Sequence, residues 1–144
     1  MTKHDAMKQY FEEKVAQLAG KILHFNVSPE SKNSISFVTN YSDRIRKRYV
    51  RGSEKEYGFT IIINKEYSTY ADDLNLEAMN FAQAFMNWLE GQNRKKIYPQ
   101  FPENCQIKKM ENLQNMPNLA GANMMEGLAR YMIQCRVIYF EKER

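Results

Sequence analysis

Four kinds of side chain in this sequence could carry chemistry. They are the histidines His4 and His24, the cysteines Cys105 and Cys135, the adjacent carboxylates Asp72 and Asp73, and the basic run from Arg44 to Arg51. A nucleophilic triad needs a histidine held by a carboxylate and poised on a hydroxyl or thiol. His4 has only its neighbour Asp5, in a terminus expected to fray, and His24 in LHFNV sits where a strand histidine is the ordinary outcome. Two cysteines and two histidines give no zinc-holding spacing and no disulfide framework. Asp72 and Asp73 could hold a divalent cation or act as acid and base, but acids at a helix start ordinarily cap it and offset its dipole. The glycines form neither GxxxxGK[ST] nor GxGxxG, and nucleophile-elbow and HExxH patterns are absent. The expectation is a non-enzymatic protein with no catalytic residue, metal site or cofactor.

Two segments point to binding instead. RIRKRYVR places five basic residues, Arg44, Arg46, Lys47, Arg48 and Arg51, among eight, with Tyr49 interleaved. Such a strand can track a phosphate backbone, but Lys and Arg on an edge strand also guard against aggregation or serve a subunit contact, which is the preferred reading. The connector from Met116 to Met125 is unusually apolar, with Met116, Leu119, Met124 and Met125. Flexible, polarizable methionines adapt to partners, so this is a candidate docking element; the equal alternative folds them over the sheet as satellite core.

A chain of 144 residues without a Pro/Gly/Ser-rich linker predicts a single domain spanning residues 1–144. Its 43% hydrophobic and 12% aromatic content is enough to offset the entropy of ordering. The formal charge of +4 is spread along the chain and by itself decides nothing about nucleic acid. No stretch has the apolar length of a signal peptide core or a membrane span, so the expectation is a soluble protein from a reducing cytoplasm, with no membrane partner.

The elements that must position these residues follow from periodicity. Met7, Tyr10, Phe11, Val15 and Leu18 recur at helical spacing, predicting a helix from Asp5 to Leu18. Short β-prone runs follow at Leu23 to Val27 and Ile35 to Val38, divided by a turn cluster at residues 28–31, as two strands or one broken one. Gly52 to Lys55 has the composition of a hairpin loop, making residues 57–67 the expected central strand. Leu74, Ala78, Phe81, Ala82, Phe85 and Leu89 share a face of a long helix from Ala71 to about Asn93. Near the end, Tyr131, Ile133, Cys135, Val137 and Tyr139 alternate with polar residues, the pattern of a half-buried strand. It forms a hairpin with the segment starting at Cys105; with the connector centred near Ala120, Cys105 and Cys135 become cross-strand neighbours. The predicted class is α+β: a mainly antiparallel sheet of about four to six strands with two packed helices, in the order helix, strands, hairpin, helix, hairpin.

The segments YSTYADDLNLEAMNFAQAFMNWLEGQN and FPENCQIKKMENLQNMPNLAGANMMEGLARYMIQCRVIYFEK resemble the minor capsid proteins of tailed phages of Gram-positive bacteria, a group that looks like tail terminator or head-tail joining proteins. The resemblance runs from Glu56 to Lys142 and rests on the order of phrases, "EYGFTIII" through "LARYMIQCRVIYFEK", with a looser match over the first 50 residues. It implies an antiparallel sheet with two helices and a protein made in the host cytoplasm, for assembly into the virion. It further implies self-association as a ring, commonly a hexamer, that meets the tail tube and the head connector. A head-tail adaptor or stopper between portal and tail is the alternative within this class. A small nucleic-acid-binding module using the basic strand is the alternative from another.

Overall fold

The computed structural model describes residues 2–19, 23–25, 34–66, 72–113, 118–123 and 128–142. Helix α1 (Lys3–Ala19) starts two residues earlier than periodicity predicts, because Thr2 caps it. The Thr2 hydroxyl accepts from the Asp5 backbone N–H at 3.1 Å, and the Asp5 carboxylate accepts from the Thr2 N–H at 3.1 Å. This reciprocal box satisfies two helix-end donors, so His4 and Asp5 lie in an ordered first turn and not in a frayed terminus.

β1 (Leu23–Phe25) pairs in parallel with β2 (Ser34–Tyr49) at Ile35 to Phe37; the turn cluster predicted between them lies outside the described residues. β2 and β3 (Gly52–Glu66) form a long antiparallel hairpin. Its turn is Val50-Arg51, closed by the Tyr49–Gly52 pair, so the loop predicted at Gly52 to Lys55 is already strand. Gly52 answers a packing demand and not a turn: a Cβ there would strike the Glu141 carbonyl oxygen and come within 2.7 Å of the Phe140 ring.

Helix α2 (Asp72–Lys95) ends at Lys96, whose φ of 57° is left-handed. Lys96 N–H donates to the Asn93 carbonyl and Ile97 N–H to that of Gln92, the paired bonds that close a helix C-terminus. β4 (Cys105–Asn112), β5 (Asn118–Asn123) and β6 (Leu128–Lys142) complete the sheet. The order is β1-β2-β3-β6-β4, with β5 also on β6, and every pairing but β1–β2 is antiparallel. The α+β class with two helices on a mainly antiparallel sheet is the architecture expected from the sequence.

One face of the sheet carries the core. Tyr131, Ile133, Cys135, Val137 and Tyr139 of β6 are all buried there, beside Phe59, Ile61 and Ile63 of β3 and Ile35 and Phe37 of β2. From the helix layer, Ala82, Phe85, Met86 and Leu89 of α2 and Met7 and Phe11 of α1 close on them. Phe11 ties α1 down, with its ring centre 5.2 to 6.2 Å from those of Phe37, Phe59, Phe85 and Trp88. Truncating such an aromatic typically costs about 3–5 kcal/mol.

The connector expected around Ala120 is in part a strand. Its residues Asn118 to Asn123 pair with β6 from Met132 back to Leu128. Cys105 therefore sits opposite Glu141 and Cys135 opposite Asn112, and the two cysteines are not cross-strand neighbours.

Candidate functional site

β2 is covered by β1 only at Ile35 to Phe37, so from Val38 to Tyr49 it is an open edge among the described residues. Every residue from Ser42 to Arg51 is exposed, and the strand slips register three times between Thr39 and Lys47. Such irregular, charged edges resist casual strand addition.

The five basic residues predicted as a candidate interface divide into two sets. Arg44 and Arg46 lie over the sheet face opposite the helices and pair with β3. Arg44 Nε is 3.6 Å from Glu56; Arg46 is 3.8 Å from both Glu54 and Glu56. The row continues inward, with Arg136 of β6 3.3 Å from Glu56 and 2.5 Å from Glu111 of β4, which also meets Lys109 at 3.3 Å. Glu56, its side chain only 8% exposed, is thus held by three guanidinium groups. Burial pushes the Glu111 carboxyl up, but hydrogen bonds from Arg136 and Lys109 outweigh it and leave the group below its ordinary value.

Lys47, Arg48 and Arg51 form the second set, and among the described residues none of them has an ion-pair partner. Lys47 lies over the Tyr49 ring at 5.3 Å, and Tyr49 packs edge-on against Phe140 at 5.8 Å. Val50, at the turn, is 94% exposed. The hairpin tip is therefore a basic end with an apolar point.

Of the second candidate segment, Met116, Met124 and Met125 lie outside the described residues. Leu119 is in β5, opposite Tyr131. Of the residues weighed for chemistry, His24 lies in β1 opposite Ser36, and Asp72 and Asp73 open α2. His4 Nδ1 is 2.8 Å from the Tyr57 hydroxyl.

A cluster that sequence reasoning missed sits on the helix-side face of the same edge. A bulge in β2 turns Asp43 into a left-handed conformation, φ 55°, which Asp tolerates better than most residues. Its carboxylate accepts from Lys3 Nζ at 2.6 Å and from the Tyr139 hydroxyl at 2.5 Å. Lys3 also donates to Glu141 at 2.9 Å, and Lys55 pairs with the other Glu141 oxygen. Burial opposes the charge on both carboxylates, but the donated hydrogen bonds prevail: Asp43 and Glu141 are both held below their ordinary values. Burial, then the Asp43 contact, pushes the Tyr139 hydroxyl far up. These groups satisfy one another and clasp the start of α1 to the sheet. Their partners lie 40 and 138 residues apart, a separation no local pattern signals; the bulge is the one local irregularity that marks the spot.

No family model matches this chain, and no curated protein matches its sequence. No helix among the described residues is long and apolar enough to cross a membrane.

Proposed function

We propose that the chain is a non-enzymatic structural protein of a tailed phage or prophage virion, a tail terminator-like ring subunit at the head-tail junction. Its partners in this proposal are copies of itself, the tail tube and the head connector.

One relationship carries the proposal. The described parts of the two segments that the sequence marks for interaction fall on opposite edges of one sheet: residues 44–49 of β2 with the turn at 50–51, and β5 (Asn118–Asn123) on the far side of β6. A ring closes through heterologous contacts, in which two different patches on opposite sides of each subunit meet their counterparts on the neighbours. The phrase-by-phrase resemblance of residues 56–142 to minor capsid proteins points the same way. The clasp adds support, since its titratable groups are spent on holding α1 against the sheet edge.

Absolute mass by light scattering, followed to millimolar concentration, tests the ring. A mass that climbs towards a hexamer is the expected result. A strict monomer at every concentration overturns a ring formed by this chain alone.

A further inference from the structure

We infer that the tip of the β2–β3 hairpin is a contact site for the phosphate backbone of duplex nucleic acid, made by Lys47, Arg48 and Arg51. This stands on the tip alone and does not need the ring.

The sorting of the basic residues carries it. Arg44 and Arg46 are engaged within the sheet by Glu54 and Glu56, at 3.6 to 3.8 Å. Lys47, Arg48 and Arg51 stand within five residues at an exposed turn; Glu54 is the cross-strand partner of Lys47 but turns to Arg46, and none of the three cations is in an ion pair among the described residues. Leaving three cations unpaired beside so complete a salt ladder keeps their charge for something outside the chain. Their placement says what kind. Lys47 shares a side of the strand with Tyr49, Arg48 is on the other side, and Arg51 is in the turn, so the charge surrounds the tip. A flat acidic protein surface would be met by one side of a strand, whereas phosphates flanking a groove meet a tip charged all round. Tyr49 is engaged by Lys47 and Phe140, which leaves it a poor platform for stacking an unpaired base and favours duplex over single strand. Cations spread around a turn, and not aligned along a groove, predict binding that is indifferent to sequence.

The test is fluorescence anisotropy with labelled double-stranded DNA. Three phosphate contacts predict binding about 40-fold weaker in about 200 mM than in about 50 mM monovalent salt, from a log–log slope of about −2.7. Two duplexes of unrelated sequence should bind alike, and single-stranded DNA less tightly. Lys47→Gln/Arg48→Gln/Arg51→Gln should abolish binding. The control Lys8→Gln/Arg94→Gln/Lys95→Gln removes the same charge from exposed helical positions and should bind within about twofold of the parent. Circular dichroism of both variants establishes that each is folded. The proposal is overturned by absence of binding at low salt, by equal loss in the two variants, by retention in the tip variant, or by tighter binding to single strands.

Discussion

The ring of Tyr41 covers the α-carbon of Gly58, its partner across the β2–β3 hairpin. A Cβ at Gly58 would collide with two ring carbons and lie 2.9 Å from a third, while Arg44 rests over the same ring, 4.9 Å from its centre. Gly58→Ala must therefore push Tyr41 and Arg44 away from the sheet. The expected loss is about 1–3 kcal/mol, read from the urea midpoint. Adding Tyr41→Ala to the same chain should recover most of it; a neutral Gly58→Ala would refute the close approach.

Glu56 offers a second test, because it is nearly buried and shared by Arg44, Arg46 and Arg136. Glu56→Ala leaves Arg136 with only Glu111 and Arg46 with only Glu54, and frees Arg44. Solvent reaches the guanidinium groups, so the cost should fall short of a fully buried pair: about 1–3 kcal/mol, against about 0–1 for an exposed one. Glu54→Ala, which disturbs only Arg46, is the comparison that should cost less in the same denaturation experiment.

The clasp makes stability depend on acid. Asp43 and Glu141 are depressed from ordinary values of 3.8 and 4.5, because hydrogen bonds from Lys3, Tyr139 and Lys55 outweigh burial. A depressed carboxyl contributes fully above its unfolded value and loses that contribution as pH falls through the folded one. Urea midpoints should therefore hold down to about pH 5 and decline below it. Lys3→Met should lower the neutral-pH midpoint and flatten the acid decline; an unchanged decline would assign the effect to other carboxylates.

Thiol chemistry should be quiet. Burial pushes the Cys105 thiol up to about 11, and Cys135, fully buried, is raised further. Opposite Glu141 and Asn112, the two are offset by six residues along β6, about 20 Å, well beyond the roughly 7 Å limit for a disulfide. Ellman's reagent at mildly alkaline pH should find almost no reaction in the folded protein and both thiols in urea. Rapid native modification of Cys105 would contradict its placement beside Glu141.

Elements with one buried face were legible in the sequence, since burial imposes a period. Tyr131 to Tyr139 alternate because the helices cover only one side of β6, and Ala82, Phe85 and Leu89 fall on the core face of α2 as predicted. The hairpin turn was misplaced because Val50 and Arg51 have none of the usual turn chemistry, while Gly52 and Ser53 do, and Gly52 is demanded by Phe140 and Glu141 instead. The segment Asn118 to Asn123 looked like loop because Gly121 and its asparagines suit turns; pairing with β6 overrides that propensity. At the candidate site, the basic run was visible as composition, but the division between paired and unpaired cations needed the register that sets Glu54 and Glu56 beside Arg44 and Arg46.

β6 lies between β3 on one side and β4 with β5 on the other, so residues 128–142 join two parts of the sheet that do not otherwise touch as strands. During synthesis the β2–β3 hairpin can form early, but β3 waits with its inner edge open until β6 emerges and is laid against it. Until then the sheet has an unfinished β-edge bordered by Phe59, Ile61 and Ile63. Closing it is a long-range event, and chains cut short before Leu128 would be left with that edge still open.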